Sequence, residues 1–493
     1  MLDYIMIGLE TALNINNLMY AFLGVFIGNL IGVLPGIGAM AAVSMLLPIT
    51  YGIQPAGALM MLAGLYYGTS YGGAITTILL NLPGTASHAV VSLDGHPLAK
   101  QGRAGSALLM AMLASFIGST IGIILMSGFG PVLVNFAFKF GPAEYFSLML
   151  LGLLAASTLT TGSAIKSIAM VVIGVIAGTV GIDVNSGVAR YTFGIHELQD
   201  GLLLVAVAMG LFGVADVLRS AGSQANAKMV SETAIGWRSL RFKPKEFKNS
   251  LTSIFRGAGV GSFFGFLPGT GGSIASFMSY AMEKSINKNR SQFGKGALEG
   301  VASPESANSS AAQTAFIPTL SLGIPGDAVM ALILGAMMIH NIQPGPQLMV
   351  SHPDIFWGLI ASFWIGNLML LFLNIPLVGI WVRLLTVPYR FIFPAVLLFI
   401  CIGAFSANNN IYDVLVVLVI GVFGYVATKL EFDLIPMLLG LVLGPMVEEN
   451  FRRAMVLSQG DMTVFLTRPI SATCVGLAFL LVFFSFYKNF FRR

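Results

Sequence analysis

Charge is what this sequence has least of: only 10% of its 493 residues are Asp, Glu, Lys or Arg, while 56% are apolar. Soluble domains carry about 25% charged residues, and the mean hydropathy here is +0.85, so water is not the main solvent of this chain. Cysteine is almost absent. Cys401 and Cys474 stand in apolar segments with no C-x-x-C spacing, which argues against a disulfide framework and a thiolate metal site. The pattern G-x-x-x-x-G-K-[ST] is missing, so the chain is not expected to hydrolyse ATP, and no enzyme activity is expected. The N-terminus, MLDYIMIGLE, lacks the basic region of a cleaved signal, and uncleaved insertion is expected.

What is present is a succession of apolar stretches. Crossing about 30 Å of hydrocarbon takes roughly 20 residues, and about eleven or twelve stretches qualify, some interrupted by Gly and Pro. The expected fold class is therefore an all-α polytopic membrane protein. No basic residue occurs in 1–99 or 296–382, whereas 12 of the 26 lie from Arg219 to Lys295. In membrane proteins such clusters report the cytoplasmic side, so the excess of base does not imply nucleic-acid binding. The division expected is a first membrane repeat over 1–218, a basic cytoplasmic linker over 219–253 and a second repeat over 254–493. The terminal FFSFYKNFFRR suits an interfacial anchor with a cytoplasmic end.

An internal repeat is visible. GVFIGNLIGVLPGIGAMAA (24–42) matches GAGVGSFFGFLPGTGGSIA (257–275) at an offset of 233, and LLNLPGTASHAV around Pro83 pairs more weakly with LSLGIPGDAVMA around Pro325 at 242. Each half thus carries two Pro-Gly breaks: Pro35-Gly36, Pro83-Gly84, Pro268-Gly269 and Pro325-Gly326. A break frees backbone N–H and C=O groups that cannot face lipid, and paired breaks in two repeats point to a carrier's binding site. The segment 254–281 has basic residues on both flanks and a central LPGTGG, as a re-entrant hairpin would. Its counterpart around Pro35 has none, and the loop after the second break is basic only in the first half (Lys100, Arg103). Inverted topology of the two halves is the expectation.

The motifs GVLPGIG, YYGTSYGGAITTILLNLPG (66–84), DGHPLAKQGRAGSAL (94–108), LPGTGG, SYAMEK (279–284), FGKGALEGVASPESANSS (293–310) and LGIPG (322–326) run in order along nearly the whole chain. In them the sequence resembles the large membrane subunit of tripartite tricarboxylate transporters. One departure is SANSS (306–310), where the family pattern more often reads ANNA, so Ser309 replaces an amide. The resemblance implies a bacterial inner-membrane subunit that works with a small membrane subunit and a periplasmic solute-binding protein to import carboxylates such as citrate. Without an ATPase motif, a sodium or proton gradient is the expected driving force, and no cofactor beyond a coupling sodium ion is expected.

A carboxylate bound inside the membrane needs donors, and the breaks hold no Lys or Arg. Backbone N–H groups and hydroxyls of Gly84, Thr85 and Ser87, and of Gly269, Thr270, Gly271, Gly272 and Ser273, are the candidate anion contacts; their plainer role is helix capping. Asp327 pairs with Thr85 in the repeat and suits an N-cap or a cation-facing group. Asn81, Ser306, Asn308 and Ser309 offer neutral oxygens beside the breaks, and Glu305 is the candidate coupling carboxylate if it lies within the membrane rather than at its surface. Tyr66, Tyr67 and Tyr71 could meet a ligand or simply pack, whereas His88 and His96, without neighbouring His or Cys, make poor metal ligands. Two other readings stay open. A passive channel or structural subunit leaves the breaks idle. An intramembrane protease would use GIPGD at 323–327 with Asp433, against an intervening Pro and an unexplained repeat.

Overall fold

The computed structural model describes residues 2–34, 37–137, 139–159, 163–183, 186–222, 239–267, 269–385 and 389–491. Pro35, Gly36 and Pro268 lie outside them. The chain is helical almost throughout. Its first part runs α1 (Leu2–Leu13), α2 (Ile15–Val33), α3 (Ala39–Leu46), α4 (Pro55–Leu80), α5 (Ser92–Leu98), α6 (Ala104–Ala137), α7 (Pro142–Leu159), α8 (Ala164–Gly178), α9 (Leu204–Ala208) and α10 (Ala215–Gly222). Between α8 and α9 the strands β1 (Gly181–Ile182) and β2 (Ala189–Arg190) form a small antiparallel hairpin, which the all-helical expectation did not contain.

The second part runs α11 (Pro244–Phe266), α12 (Gly271–Ile286), α13 (Glu299–Thr314), α14 (Phe316–Leu322), α15 (Ala328–Ile339), α16 (Leu348–Ser351), α17 (Pro353–Asn374), α18 (Val378–Leu384) and α19 (Tyr389–Asn408), ending with α20 (Ile411–Lys429), α21 (Ile435–Leu457), α22 (Val464–Thr467) and α23 (Pro469–Phe491). Helix α11 starts at Pro244, so the last ten residues expected as linker, 244–253, are its opening turns.

Among the described residues four helical stretches are long and apolar enough to cross a membrane: Ile15–Val33, Ser92–Val134, Pro353–Asn374 and Ile411–Lys429. Six shorter apolar helices accompany them. Hydropathy passes over α13, EGVASPESANSSAAQT, although every one of its residues is buried. A helix surrounded by protein needs small residues for close approach, not long aliphatic ones.

The two halves repeat one packing scheme. Gly24, Gly28 and Gly32 of α2 lie against the carbonyls of Met61, Leu65 and Thr69 of α4, where an added Cβ would come within 2.0–2.4 Å. Gly257, Gly261 and Gly265 of α11 lie in the same way on Ser303, Ala307 and Ala311 of α13, at 2.2–2.4 Å. These partners are related by the offsets of 233 and 242. In the return direction Gly64 and Gly68 meet the carbonyls of Ala21 and Val25; at the equivalent points Ser306 and Ser310 donate to the carbonyls of Ile254 and Ala258, at 2.8 and 3.0 Å. Helices α11 and α12 pack against each other, with Ser253 donating to Glu283 at 2.7 Å and Arg256 bridging to it at 3.3 Å.

Candidate functional site

The second breaks of the two halves are built alike as far as their glycines. Helix α4 ends on Asn81 at φ 57°, and α14 ends on Gly323 at φ 70°, the left-handed stop that satisfies the last turn's carbonyls. Three residues later Gly84 N–H donates to the Thr77 hydroxyl (3.4 Å), as Gly326 N–H does to Thr319 (3.3 Å). Gly84 lies on Gly73, and Gly326 on Ala315, too close for a side chain on either. The first breaks also agree, since Leu34 and Leu267 leave their helices at φ/ψ of −80°/114° and −81°/122°.

In the second half the two breaks meet. Gly269 N–H donates to the carbonyl of Gly326 at 2.9 Å, and Gly271, at φ 62°, lies beside Asp327. Asp327 caps α15 through Met330 N–H at 2.8 Å and accepts a hydrogen bond from Tyr66 of α4 at 2.5 Å, so the carboxylate joins both halves. Gly272 abuts the Asn308 amide of α13. The Thr270 hydroxyl is committed to the carbonyls of Phe264 and Leu267. In the first half Thr85 precedes only a short 3₁₀ turn, Ala86–His88, and its hydroxyl bonds Ser87 and His88 Nδ1, both at 2.7 Å. Candidate donors from both halves are thus assembled, but the Ser306 proton and the Thr270 proton are spent on backbone carbonyls.

Glu305 is 1% exposed, in the middle of α13. Ser115 of α6 donates to its Oε2 at 3.2 Å, and His88 Nε2 stands 3.8 Å from its Oε1. The sequence set His88 aside as a poor metal ligand, and it is fully buried. Nearly all buried polar atoms in proteins have partners, yet Glu305 Oε1, Asn308 Nδ2 and Ser309 Oγ have none, and His88 Nε2 has none that is well aligned. These residues belong to or flank α4 and α13, the repeat-related helices. Tyr71 of α4 bonds Asn367 at 3.2 Å, and Tyr67 packs edge-on against Phe363, so Tyr66 alone of the three tyrosines touches a candidate site carboxylate. Among the described residues no group of three or more His, Cys, Asp or Glu could hold a metal ion.

Two neighbouring features frame this centre. Asp94 of α5, fully buried, accepts from the N–H groups of Gly294, Gly296 and Ala297 at 2.8–2.9 Å and from Tyr280 at 2.8 Å. Near the other end of α14, an open cavity of about 810 Å³ reaches Leu322, the last helical residue before the second-half break, and is lined also by Tyr145, Asn341, Gln343, Asn450 and Arg453.

A family model for the tripartite tricarboxylate transporter TctA family matches residues 18–439. An uncharacterized 52.8 kDa protein of the TAR-I ttuC' 3' region of Agrobacterium vitis is 46% identical over 478 residues, 97% of this chain and 95% of that protein. A second uncharacterized protein, from the TAR-II ttuC' 3' region of the same organism, is 55% identical over 222 residues, 45% of this chain and 92% of that protein. No solved structure matches significantly. The repeated motifs lie within the matched span, and the chain belongs to the tripartite tricarboxylate transporter TctA family.

Proposed function

We propose that this chain is the carrier subunit of a secondary transporter that imports a di- or tricarboxylate of the citrate class across the bacterial inner membrane. The observation that carries the reading is the meeting of the breaks: Gly269 N–H on the Gly326 carbonyl, with Asp327 tied to Tyr66 of the other half. Discontinuous helices brought together are how carriers present amides and carbonyls to a solute at membrane depth. A passive pore gives no reason for the buried polar atoms left without partners at Glu305, Asn308 and Ser309 of α13. Buried donors left open suit a polar ligand that comes and goes.

In this reading the substrate meets the hydroxyls of Thr85 and Ser87 and the amides of Gly271, Gly272 and Ser273, while the Gly84 and Gly269 N–H groups and the Thr270 hydroxyl, already bonded within the protein, shape the breaks; Asn81, Glu305, Ser306, Asn308, Ser309 and Asp327 serve the coupling ion. A sodium or proton gradient supplies the work. A periplasmic binding protein delivers substrate, and a small membrane subunit completes the assembly. The halves are inverted with respect to the membrane. Charge supports this orientation: Arg103 pairs with Glu246, and Gln101 bonds the Lys295 carbonyl, which gathers the basic segments on one face. Near the cavity Arg190, Arg452, Arg453 and Arg468 are each matched by Asp or Glu. The face with excess base is the cytoplasmic one.

Uptake of labelled citrate and a panel of other carboxylates by the reconstituted three-component system, with sodium and pH gradients imposed separately, tests the reading. Accumulation against the substrate gradient is expected. Equilibration alone would indicate a channel, and failure of every carboxylate would overturn the proposal.

A further inference from the structure

A chain of polar groups runs from the first half to Glu305 of the second and back to the first. It runs from the Ser87 hydroxyl to the Thr85 hydroxyl and His88 Nδ1, each step 2.7 Å. It resumes across 3.8 Å from His88 Nε2 to Glu305 Oε1 and ends at the Ser115 hydroxyl, 3.2 Å from Glu305 Oε2. Its one gap separates two buried atoms that lack a well-aligned hydrogen-bond partner, the Ser70 carbonyl of α4 being the other acceptor close to the His88 ring. We propose that His88 and Glu305 together hold the proton that drives transport. The inference rests on the carrier reading above and assigns its coupling ion.

The chemistry of the gap selects a proton. If Thr85 donates to Nδ1, the imidazole N–H points from Nε2 at Glu305; if Nδ1 donates to Thr85, the Nε2 lone pair faces the carboxyl, which then carries the hydrogen. Beyond the hydrogen of a neutral imidazole, one added proton makes the pair neutral, as His⁺ with Glu⁻ or as His with the acid. Losing it leaves a single buried negative charge, which a low-dielectric interior penalises heavily. The pair therefore has two states separated by one proton. A sodium ion would want a shell of hard oxygens, and here one of the two facing atoms is an imidazole nitrogen.

The surroundings contribute no competing charge to the pair. Helix α6 has no charged residue, and α4 presents only Tyr71 among ionisable groups on that side. On α5, Asp94 is bonded to four donors, and His96 Nδ1 lies 3.2 Å from the Ile78 carbonyl. On α12, Glu283 is held by Ser253 and Arg256, with Lys284 beside it in sequence; on α11, Glu246 pairs with Arg103, leaving Lys245 and Lys248 in its opening turns, and Glu299 begins α13. None of these bonds to His88 or Glu305 among the described residues. The link through Thr85 and Ser87 also ties the proton to candidate substrate contacts, so occupation of one site is sensed at the other.

The test uses the complete system reconstituted in liposomes containing the pH dye pyranine, with citrate outside in sodium-free buffer. Citrate entry accompanied by lumenal acidification is expected for the wild type, and at least a tenfold loss of that acidification for both Glu305→Gln and His88→Gln. Acidification at wild-type level in either variant overturns the proposal, as does wild-type uptake that needs a sodium gradient and brings in no proton. Infrared difference spectra of the purified chain supply a readout that needs no transport. A carboxylic-acid band that titrates and vanishes in Glu305→Gln, and shifts in His88→Gln, supports the pair; an unchanged band overturns it. If the wild type moves neither citrate nor any other carboxylate, the carrier reading fails and the infrared result still decides the proton assignment.

Discussion

The hydroxyl of Tyr66 and the carboxylate of Asp327, 2.5 Å apart, form a hydrogen bond between a helix of one half and the N-cap of a helix in the other. The second carboxylate oxygen caps α15 at Met330. Both oxygens are therefore engaged, one in each half's architecture. A ligand that displaced Tyr66 would loosen the halves from one another at the junction of the breaks.

Removing this tie should be measurable. Tyr66→Phe keeps the ring packing but leaves the buried carboxylate short of a donor, at an expected cost of about 1.5–3 kcal/mol. Unfolding of the purified protein by titrated SDS, compared with wild type, reports it. An unchanged midpoint would mean that the bond contributes nothing net.

The glycine contacts predict opposite signs for the same substitution on one helix. Gly261→Ala places a Cβ 2.2 Å from the Ala307 carbonyl and should destabilise by about 1–3 kcal/mol. Gly28→Ala, 2.3 Å from the Leu65 carbonyl, should behave alike. Gly259→Ala meets no atom within 4 Å and should stabilise by about 0.5–1 kcal/mol. Equal effects of Gly261→Ala and Gly259→Ala in the same SDS titration would contradict the packing.

Asp94 is the anchor of the loop 290–298. Asp94→Ala strips three backbone N–H groups and the Tyr280 hydroxyl of their acceptor at once. Hydrogen bonds to charged groups contribute about 1.5–3 kcal/mol, and 1.4 kcal/mol is a factor of ten. Amide exchange at 294–297 should therefore accelerate at least tenfold, read by mass spectrometry. Protection at the wild-type level there would show that other contacts hold the loop.

Membrane orientation follows from charge and is open to labelling. With Cys401 and Cys474 replaced, single cysteines at the exposed positions Lys100 and Gln343 are treated in intact cells with a membrane-impermeant maleimide. Label on 343 and none on 100 is expected. The reverse pattern would invert the orientation proposed for both halves.

Much of the fold was legible because its signals are local. Pro-Gly breaks and the glycine rows of 24–32 and 257–265 announce themselves in any alignment of the halves, and Asn81 and Gly323 are the residue types that a left-handed helix stop takes. Hydropathy was less complete, because α13 is polar by composition and buried by neighbours. His88 was set aside for a related reason. Along the sequence it has no ionisable partner, and its relation to Glu305 exists only once α6, α13 and the 86–88 turn come together.

Sequence alone determined that the chain belongs in a membrane, that it is built twice on one plan and where its backbone is broken. Composition, periodicity and the chemistry of Pro and Gly act over a few residues, so they survive without the fold. Tertiary structure decided which hydroxyls are spent on carbonyls, as at Ser306 and Thr270, and which buried atoms are left open, as at Glu305 Oε1. Those outcomes depend on which helices meet, and burial and satisfaction are properties of the assembled packing.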